Sequence, residues 1–440
     1  YAPLRHGHDA IKGMVQRAHA AFPDYYEELE EMIAEGDKVV VRLTITGTQD
    51  GQWGPLPPTG KSVRFEEIVI LRFVDGKVVE QRGLPDNLAA LRQRAGEAMQ
   101  VIGVVKANAY GHGAVEVATS LVRLGVERLA VATVSEASEL RDAGLSAPIL
   151  LLWGIGAGDV EAVVRAHLEP IVDSAAAVEF LEPAAAAGGT RLGVHLKVDS
   201  GLGRQGIEPV SAAGLAGRIA ASRHLHLAGT MTHLAAPDNE AHTTSQLARM
   251  TEVLDAIRAA GIDPGIVHLG GTGAILAGVG AFADAVRPGI GLYGLSPNPL
   301  DAGAADLTPA LAIRALPLRV FEVAPGTPIG YGLRWTARRT SRLATLPIGY
   351  GDGWPRSHEN NGSALVRGLR VPMVGAISMD GLVVDVSDAE SVSLDDEFVL
   401  IGRQGDEEIT ADEVAAQRGT INYEVTTMLR RRLPRWHLDQ

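Results

Sequence analysis

Between Val101 and Pro288 the chain repeats one unit, a short apolar run followed by an alanine-rich helical segment. The runs fall near residues 101–106, 129–133, 149–153, 168–172, 193–198, 226–232, 266–269 and 285–287. An apolar run followed by a helix is the building step of a parallel sheet. Eight such steps over roughly 190 residues predict a closed α/β TIM barrel, somewhat shorter than usual, with an open doubly wound sheet as the alternative.

The flanks read differently. Long strands mark residues 39–79: Val39–Thr46 alternates, and a run from Val63 to Phe73 meets Val78-Val79 across Asp75-Gly76, a hairpin signal. A helical stretch from about His8 to Phe22 precedes them, so this part is an α+β fold. From about Thr308 the strands are punctuated by proline and glycine, as in Ser341–Pro347, Leu365–Val374 and Leu382–Val386, which predicts a separate β domain. The expected organisation is multidomain: 1–94, 95–307 and 308–440. A chain of 440 residues is long enough to require it.

A net charge of -13 argues against nucleic acid or an anionic membrane as partner. No apolar run approaches a membrane span, and the start carries no signal-peptide pattern. Without cysteine there is no disulfide framework and no thiolate metal site. His224 and His226 alternate along a strand without a third ligand, so no metal is expected. A cytoplasmic location fits, and opening at Tyr1 rather than Met reads as a trimmed or partial chain.

A barrel places its chemistry just after the strands, and the polar residues fall there. The string Val104-Val-Lys106-Ala-Asn-Ala-Tyr110-Gly-His112-Gly puts a lone lysine at the end of the first run. A desolvated lysine amine is more often neutral and can form a Schiff base with an aldehyde cofactor. Lys197 and Asp199 close the fifth run, with Arg204 beyond them. His233 ends the sixth, Gly270-Gly-Thr272-Gly273 follows the seventh, and Arg287-Pro-Gly289-Ile290-Gly291 follows the eighth. Small residues after the last two strands expose backbone N–H groups where barrels commonly hold phosphate.

These segments resemble bacterial alanine racemases over about residues 95–440. The resemblance implies pyridoxal 5′-phosphate as cofactor, bound to Lys106, with Tyr110, Thr272, Gly289, Ile290 and Tyr423 around its phosphate. It implies that His233 lies against the ring and Arg287 meets the ring nitrogen. His195-Leu-Lys197-Val-Asp-Ser-Gly-Leu-Gly-Arg204 is similar to the stretch whose lysine is commonly carbamylated and orients the substrate-binding arginine, making these Lys197 and Arg204. Gly271-Thr272 departs from the more usual Asn-Ser, and Ser378 stands where cysteine is frequent. In the β domain, Ile329-Gly-Tyr331-Gly resembles the segment of the tyrosine base that one subunit of a homodimer lends to the other. Pro347-Ile-Gly-Tyr350 and Ser378-Met379-Asp380 resemble the segments that bound the substrate. The implied activity is interconversion of L- and D-alanine with Lys106 and Tyr331 as two bases, supplying D-alanine for peptidoglycan. Serine in place of alanine, or a non-catalytic carrier of the cofactor, are the alternatives; a carrier lacks the β domain.

Residues 5–94 resemble SnoaL-like polyketide or ester cyclases through Ile33–Arg42, Pro57–Gly60 and Asp75–Glu80. The first helix of that cone fold is missing, so the module is expected to be truncated, with Asp86 as the position matching its acid/base. Two further motifs are decoys. Gly201-Leu-Gly203-Arg-Gln-Gly206 has the dinucleotide spacing, but residues 221–229 supply no carboxylate. Gly54–Ser62 imitates a P-loop with one residue too many between its glycines.

Overall fold

The structure, a computed structural model, describes residues 16, 18–35, 38–52, 58–74, 77–84, 87–96, 98–279, 283–298 and 307–437. Asp75-Gly76, Asp86 and most of the expected helix at 8–22 lie outside these. The chain forms two compact units, Tyr1–Ala89 and Ala90–Gln440, divided within the helix Asn87–Ala95.

The first unit is a four-stranded antiparallel sheet in sequence order: β1 (Tyr26–Glu35), β2 (Lys38–Thr48), β3 (Ser62–Val74) and β4 (Lys77–Leu84). β2 and β3 fall where the long strands were expected, and β4 pairs with β3, so Lys77–Arg82 belongs to this sheet rather than to the barrel. The strand β1 was not foreseen. Glu, Leu, Met and Ala favour a helix there, but pairing with β2 along nearly its whole length overrides that preference.

In the second unit all eight expected runs are strands: β5 (Gln100–Val104), β6 (Arg128–Val131), β7 (Ile149–Leu151), β8 (Glu169–Val172), β9 (Leu192–Lys197), β10 (Leu225–Met231), β11 (Ile266–His268) and β12 (Ala285–Val286). They close into a parallel barrel in sequence order, β12 pairing with β5. Val101, Ile102 and Val104 of β5 and all of β7 are buried, which is why their sequences are continuous apolar runs. Helices cover the barrel, and three of them start on side-chain caps. Thr133 and Glu136 form a reciprocal capping box, and Ser174 and Asn239 cap two others.

Beyond the barrel lie β13 (Ile313–Ala315), β14 (Arg319–Val323), β15 (Pro328–Ile329), β16 (Trp335–Thr336), β17 (Ser341–Leu346), β18 (Ser363–Val366), β19 (Leu369–Pro372), β20 (Leu382–Asp385), β21 (Phe398–Gln404) and β22 (Glu407–Ile409). One sheet runs β13-β21-β18-β19 with β22 on β21, and a second runs β14-β17-β20. The expected single strand Leu365–Val374 is instead a hairpin, broken at Arg367-Gly368, where both residues have positive φ.

Candidate active site at the carboxyl end of the barrel

A cavity of about 330 Å³ opens at the carboxyl ends of the strands. It is lined by Lys106, Tyr110, Lys197, Arg204, His233, Thr272, Arg287, Gly289, Ile290 and Tyr423, ten of the residues expected from sequence. Lys106 follows β5 directly. Burial lowers the pKa of its amine first of all, and the Arg204 and Arg287 cations lower it further against the opposing pull of Glu136.

The lysine begins an unusual turn. Ala107, Asn108, Ala109 and Tyr110 all have positive φ, between 52° and 56°, and none is glycine. A left-handed conformation costs an L-residue about 1–2 kcal/mol. Glu136, already used in the capping box, also accepts the Ala107 N–H at 2.7 Å. His112 Nδ1 donates to the carbonyls of Ala109 and Tyr110, both at 3.0 Å, and its ring stacks on Tyr293.

Arg287 is buried behind the cavity. Its Nη1 donates to the His268 carbonyl at 2.6 Å and to His268 Nδ1 at 2.8 Å. Its Nη2 donates to the carbonyls of Thr232 and Leu269 at 2.6 and 3.0 Å and approaches His233 Nδ1 at 3.3 Å. That leaves Nε as the guanidinium N–H without an acceptor among the described residues. Burial brings the pKa of Arg287 down to about 9, so it stays charged at neutral pH. Burial, helped by Arg287 and the other cations, takes His233 down to about 3, so that ring is neutral.

Behind Arg287 runs a chain of hydrogen bonds through the barrel interior. His268 Nε2 meets His195 Nδ1 at 2.8 Å, and His195 Nε2 meets a Glu169 oxygen at 3.3 Å. Arg128 Nε donates to the same oxygen at 2.7 Å. The ends set the direction, since a guanidinium only donates and a carboxylate only accepts. His268 therefore accepts at Nδ1 and donates from Nε2, and His195 does the same. Sequence reading missed His268, Glu169 and Arg128; the available signal was a polar residue at an interior strand position normally held by Val, Ile or Leu.

At the other end, Thr272 Oγ1 accepts the N–H groups of Gly289 and Gly291, both at 3.1 Å. A side chain on Gly289 would collide with the Tyr110 hydroxyl. Burial raises the pKa of Tyr110, and of Tyr423 to about 12, so both remain neutral O–H donors. Neither hydroxyl has a hydrogen-bond partner among the described residues. Lys197 Nζ donates to Gln205 Oε1 at 3.0 Å and the Leu152 carbonyl at 3.1 Å, and lies 5.7 Å from the Trp153 ring centroid. Burial and Arg204 lower its pKa to about 8. Trp153 and Gln205 are further site neighbours that the sequence reading did not single out. The dinucleotide-like loop is filled from within, because Asp199 Oδ1 accepts the N–H groups of Gly201, Leu202 and Gly203.

Four expected site residues are elsewhere. Tyr331, Tyr350, Met379 and Asp380 do not line the cavity of their own chain. They are on the β domain, where Tyr331 is 73% and Met379 52% exposed. Tyr350 N–H donates to the Ser378 carbonyl at 3.1 Å and Gly351 N–H to the Met379 carbonyl at 2.8 Å, so two of the segments share one surface. Arg432 ties Asp380 to Asp352, each at 2.6 Å.

A strand-end lysine, a buried guanidinium and two neutral phenols around one barrel cavity, followed by a β domain, define a barrel enzyme built on a reactive amine. Comparison makes the class specific. The alanine racemase N-terminal domain matches residues 79–297 and the C-terminal domain residues 310–437. The alanine racemase of Symbiobacterium thermophilum is 40% identical over 82% of this chain and 96% of its own, and that of Halothermothrix orenii 38% over 79% and 93%. Among solved structures, the Bacillus anthracis alanine racemase with bound L-Ala-P aligns with a TM-score of 0.74 at 35% identity, over 79% of this chain and 91% of that one. The Streptomyces coelicolor enzyme aligns with a TM-score of 0.75 at 34% identity, over 81% and 95%. The chain belongs to the alanine racemase family. Residues 3–94 match the SnoaL-like polyketide cyclase family. No described helix is long and apolar enough to cross a membrane.

Proposed function

We propose that the chain interconverts L- and D-alanine with pyridoxal 5′-phosphate held in the barrel cavity, and so supplies D-alanine for peptidoglycan. The observation that carries this reading is the half-buried Lys106 amine facing a cavity in which Arg287 Nε and two tyrosine hydroxyls have no partner among the described residues. Those groups fit a phosphorylated pyridine aldehyde: an amine for the aldehyde, Arg287 Nε for the ring nitrogen, and Tyr110 and Tyr423 with the Ile290 backbone N–H for the phosphate, on a loop that Thr272 holds through Gly289 and Gly291. When bound, the cofactor supplies an electron-withdrawing ring that acidifies the α-hydrogen of the amino acid joined to it.

This chain's residues do the rest. Arg287 keeps its proton near neutral pH and would hold the ring nitrogen by a hydrogen bond without protonating it. That limits electron withdrawal and favours return of the proton to Cα. Lys106, with its lowered pKa, takes and returns the proton on the face used by D-alanine. Tyr331 of the partner subunit serves the opposite face, with Tyr350, Met379 and Asp380 beside it. Their exposure, and their absence from their own chain's cavity, support a homodimer with shared sites. Arg204 binds the substrate carboxylate. Lys197, with a pKa of about 8, holds enough neutral amine to add carbon dioxide, and a carbamate there would orient Arg204. The domain boundaries that go with this reading are 1–94, 95–307 and 308–440.

The test is chemical. Full-length protein incubated with pyridoxal phosphate, reduced with borohydride and digested should carry the pyridoxyl group on Lys106. A label on another lysine, or on none, rejects the assignment.

A further inference from the structure

The left-handed turn from Ala107 to Tyr110 connects the two residues that the proposed function assigns to opposite ends of the cofactor. Lys106 precedes the turn and Tyr110 ends it. Returning any one of these residues to the right-handed region would redirect the chain after it and separate the amine from the phenol. A turn strained at every residue lasts only where its surroundings over-determine it.

Part of that restraint comes from the barrel, through Glu136 and His112. Bonds within the loop add to it, among them the Ala114 N–H to Asn108 Oδ1, and a further restraint comes from a distant segment. Arg435 Nε donates to the Gly111 carbonyl at 2.7 Å, across 324 positions of sequence. Its other nitrogens donate to the carbonyls of Leu429, Arg430 and Leu433, at 3.0, 3.2 and 3.1 Å. An arginine with every nitrogen bound to a carbonyl is a fixed bracket, not a mobile surface cation. The Thr426 carbonyl packs against Gly111 and leaves no room for a side chain there. Arg431 anchors the segment separately, through both oxygens of Glu139 at 2.6 and 2.8 Å.

We propose that Arg435 is a positioning residue for the reaction: its bond to Gly111 holds the turn left-handed and so fixes Lys106 and Tyr110 relative to each other. The proposal rests on the assignment of those two residues to pyridoxal phosphate.

The experiment compares full-length wild type with Arg435→Ala, Arg435→Lys and, as control, Arg431→Ala. Amide hydrogen exchange is followed by mass spectrometry on a peptide covering residues 105–116 without cofactor, and pyridoxal phosphate affinity by absorbance titration. Arg435→Ala should exchange about tenfold faster in that peptide while peptides from β10 and β18 keep their protection, and its Kd for pyridoxal phosphate should rise about tenfold. Arg435→Lys should recover part of both, because an ammonium can donate to Gly111 without bracing all three other carbonyls. Arg431→Ala should leave the peptide unchanged. A folded Arg435→Ala chain with unaltered exchange overturns the proposal. So does equal loosening in Arg431→Ala, or a loosened turn that binds pyridoxal phosphate as tightly as wild type. If Arg435→Ala does not fold, the lysine variant decides on the same criteria. A wild-type chain that takes up no pyridoxal phosphate instead rejects the parent assignment, and the exchange data still show whether Arg435 holds the turn.

Discussion

Replacing Glu169 with glutamine should make this protein less stable at neutral pH and leave its stability almost unchanged in acid. Burial alone would raise the Glu169 pKa, but the hydrogen bonds from His195 and Arg128, with the Arg128 charge, outweigh it and hold the carboxyl down from 4.5 to about 2. The side chain is 16% exposed, so solvent screens the effect little. Because the folded-state pKa is depressed, the ionised carboxylate stabilises the fold fully above about pH 4.5, and the effect is lost as pH falls toward 2. The drop from 4.5 to about 2 corresponds to about 3 kcal/mol at pH 7, and to about 1.4 kcal/mol at pH 3. Glutamine has the shape of the protonated acid, so wild type minus Glu169→Gln isolates the charge. Urea unfolding followed by circular dichroism at a series of pH values from 7 to 2.5 measures that difference. Acid effects from groups that Glu169 does not touch are common to both proteins, and the loss of the Glu169 charge from His195 belongs to the measured difference. A difference that stays constant over the whole range would show that Glu169 contributes through shape or packing, and the reasoning would fail.

Two predictions follow from the shared-site reading. Tyr331→Phe should slow α-proton exchange from L-alanine in deuterium oxide far more than from D-alanine, because each base reaches one face of Cα; equal slowing of both would show that Tyr331 is not specific to a face. Activity per subunit should fall on dilution in step with the dimer fraction measured by sedimentation, and a fully active monomer would refute the lending of Tyr331 between subunits.

The barrel was legible because burial on both strand faces leaves an unmistakable apolar run, and because a barrel confines its chemistry to the strand ends. Lys106, His233 and Arg287 could be placed on those grounds. Tyr331 and Met379 could not: exposed residues on a β surface carry no periodic signal, and only the family resemblance pointed to them. The pairing of His195 with His268 was hidden because the partners are 73 positions apart and meet only when β9, β10 and β11 align. The left-handed turn had no local sign either, since glycine, the usual marker of positive φ, is absent from residues 107–110. In β1 the residues point to a helix, and only the neighbouring strand decides otherwise.

The one-way hydrogen-bond chain from Arg287 to Glu169 has a consequence for how such a barrel can evolve. Each histidine receives at one nitrogen and gives from the other, so a substitute that cannot do both leaves a neighbour without a matching partner in a buried interior. A change at His195 or His268 should therefore need a matching change at its neighbour, one that restores a single consistent direction along the chain.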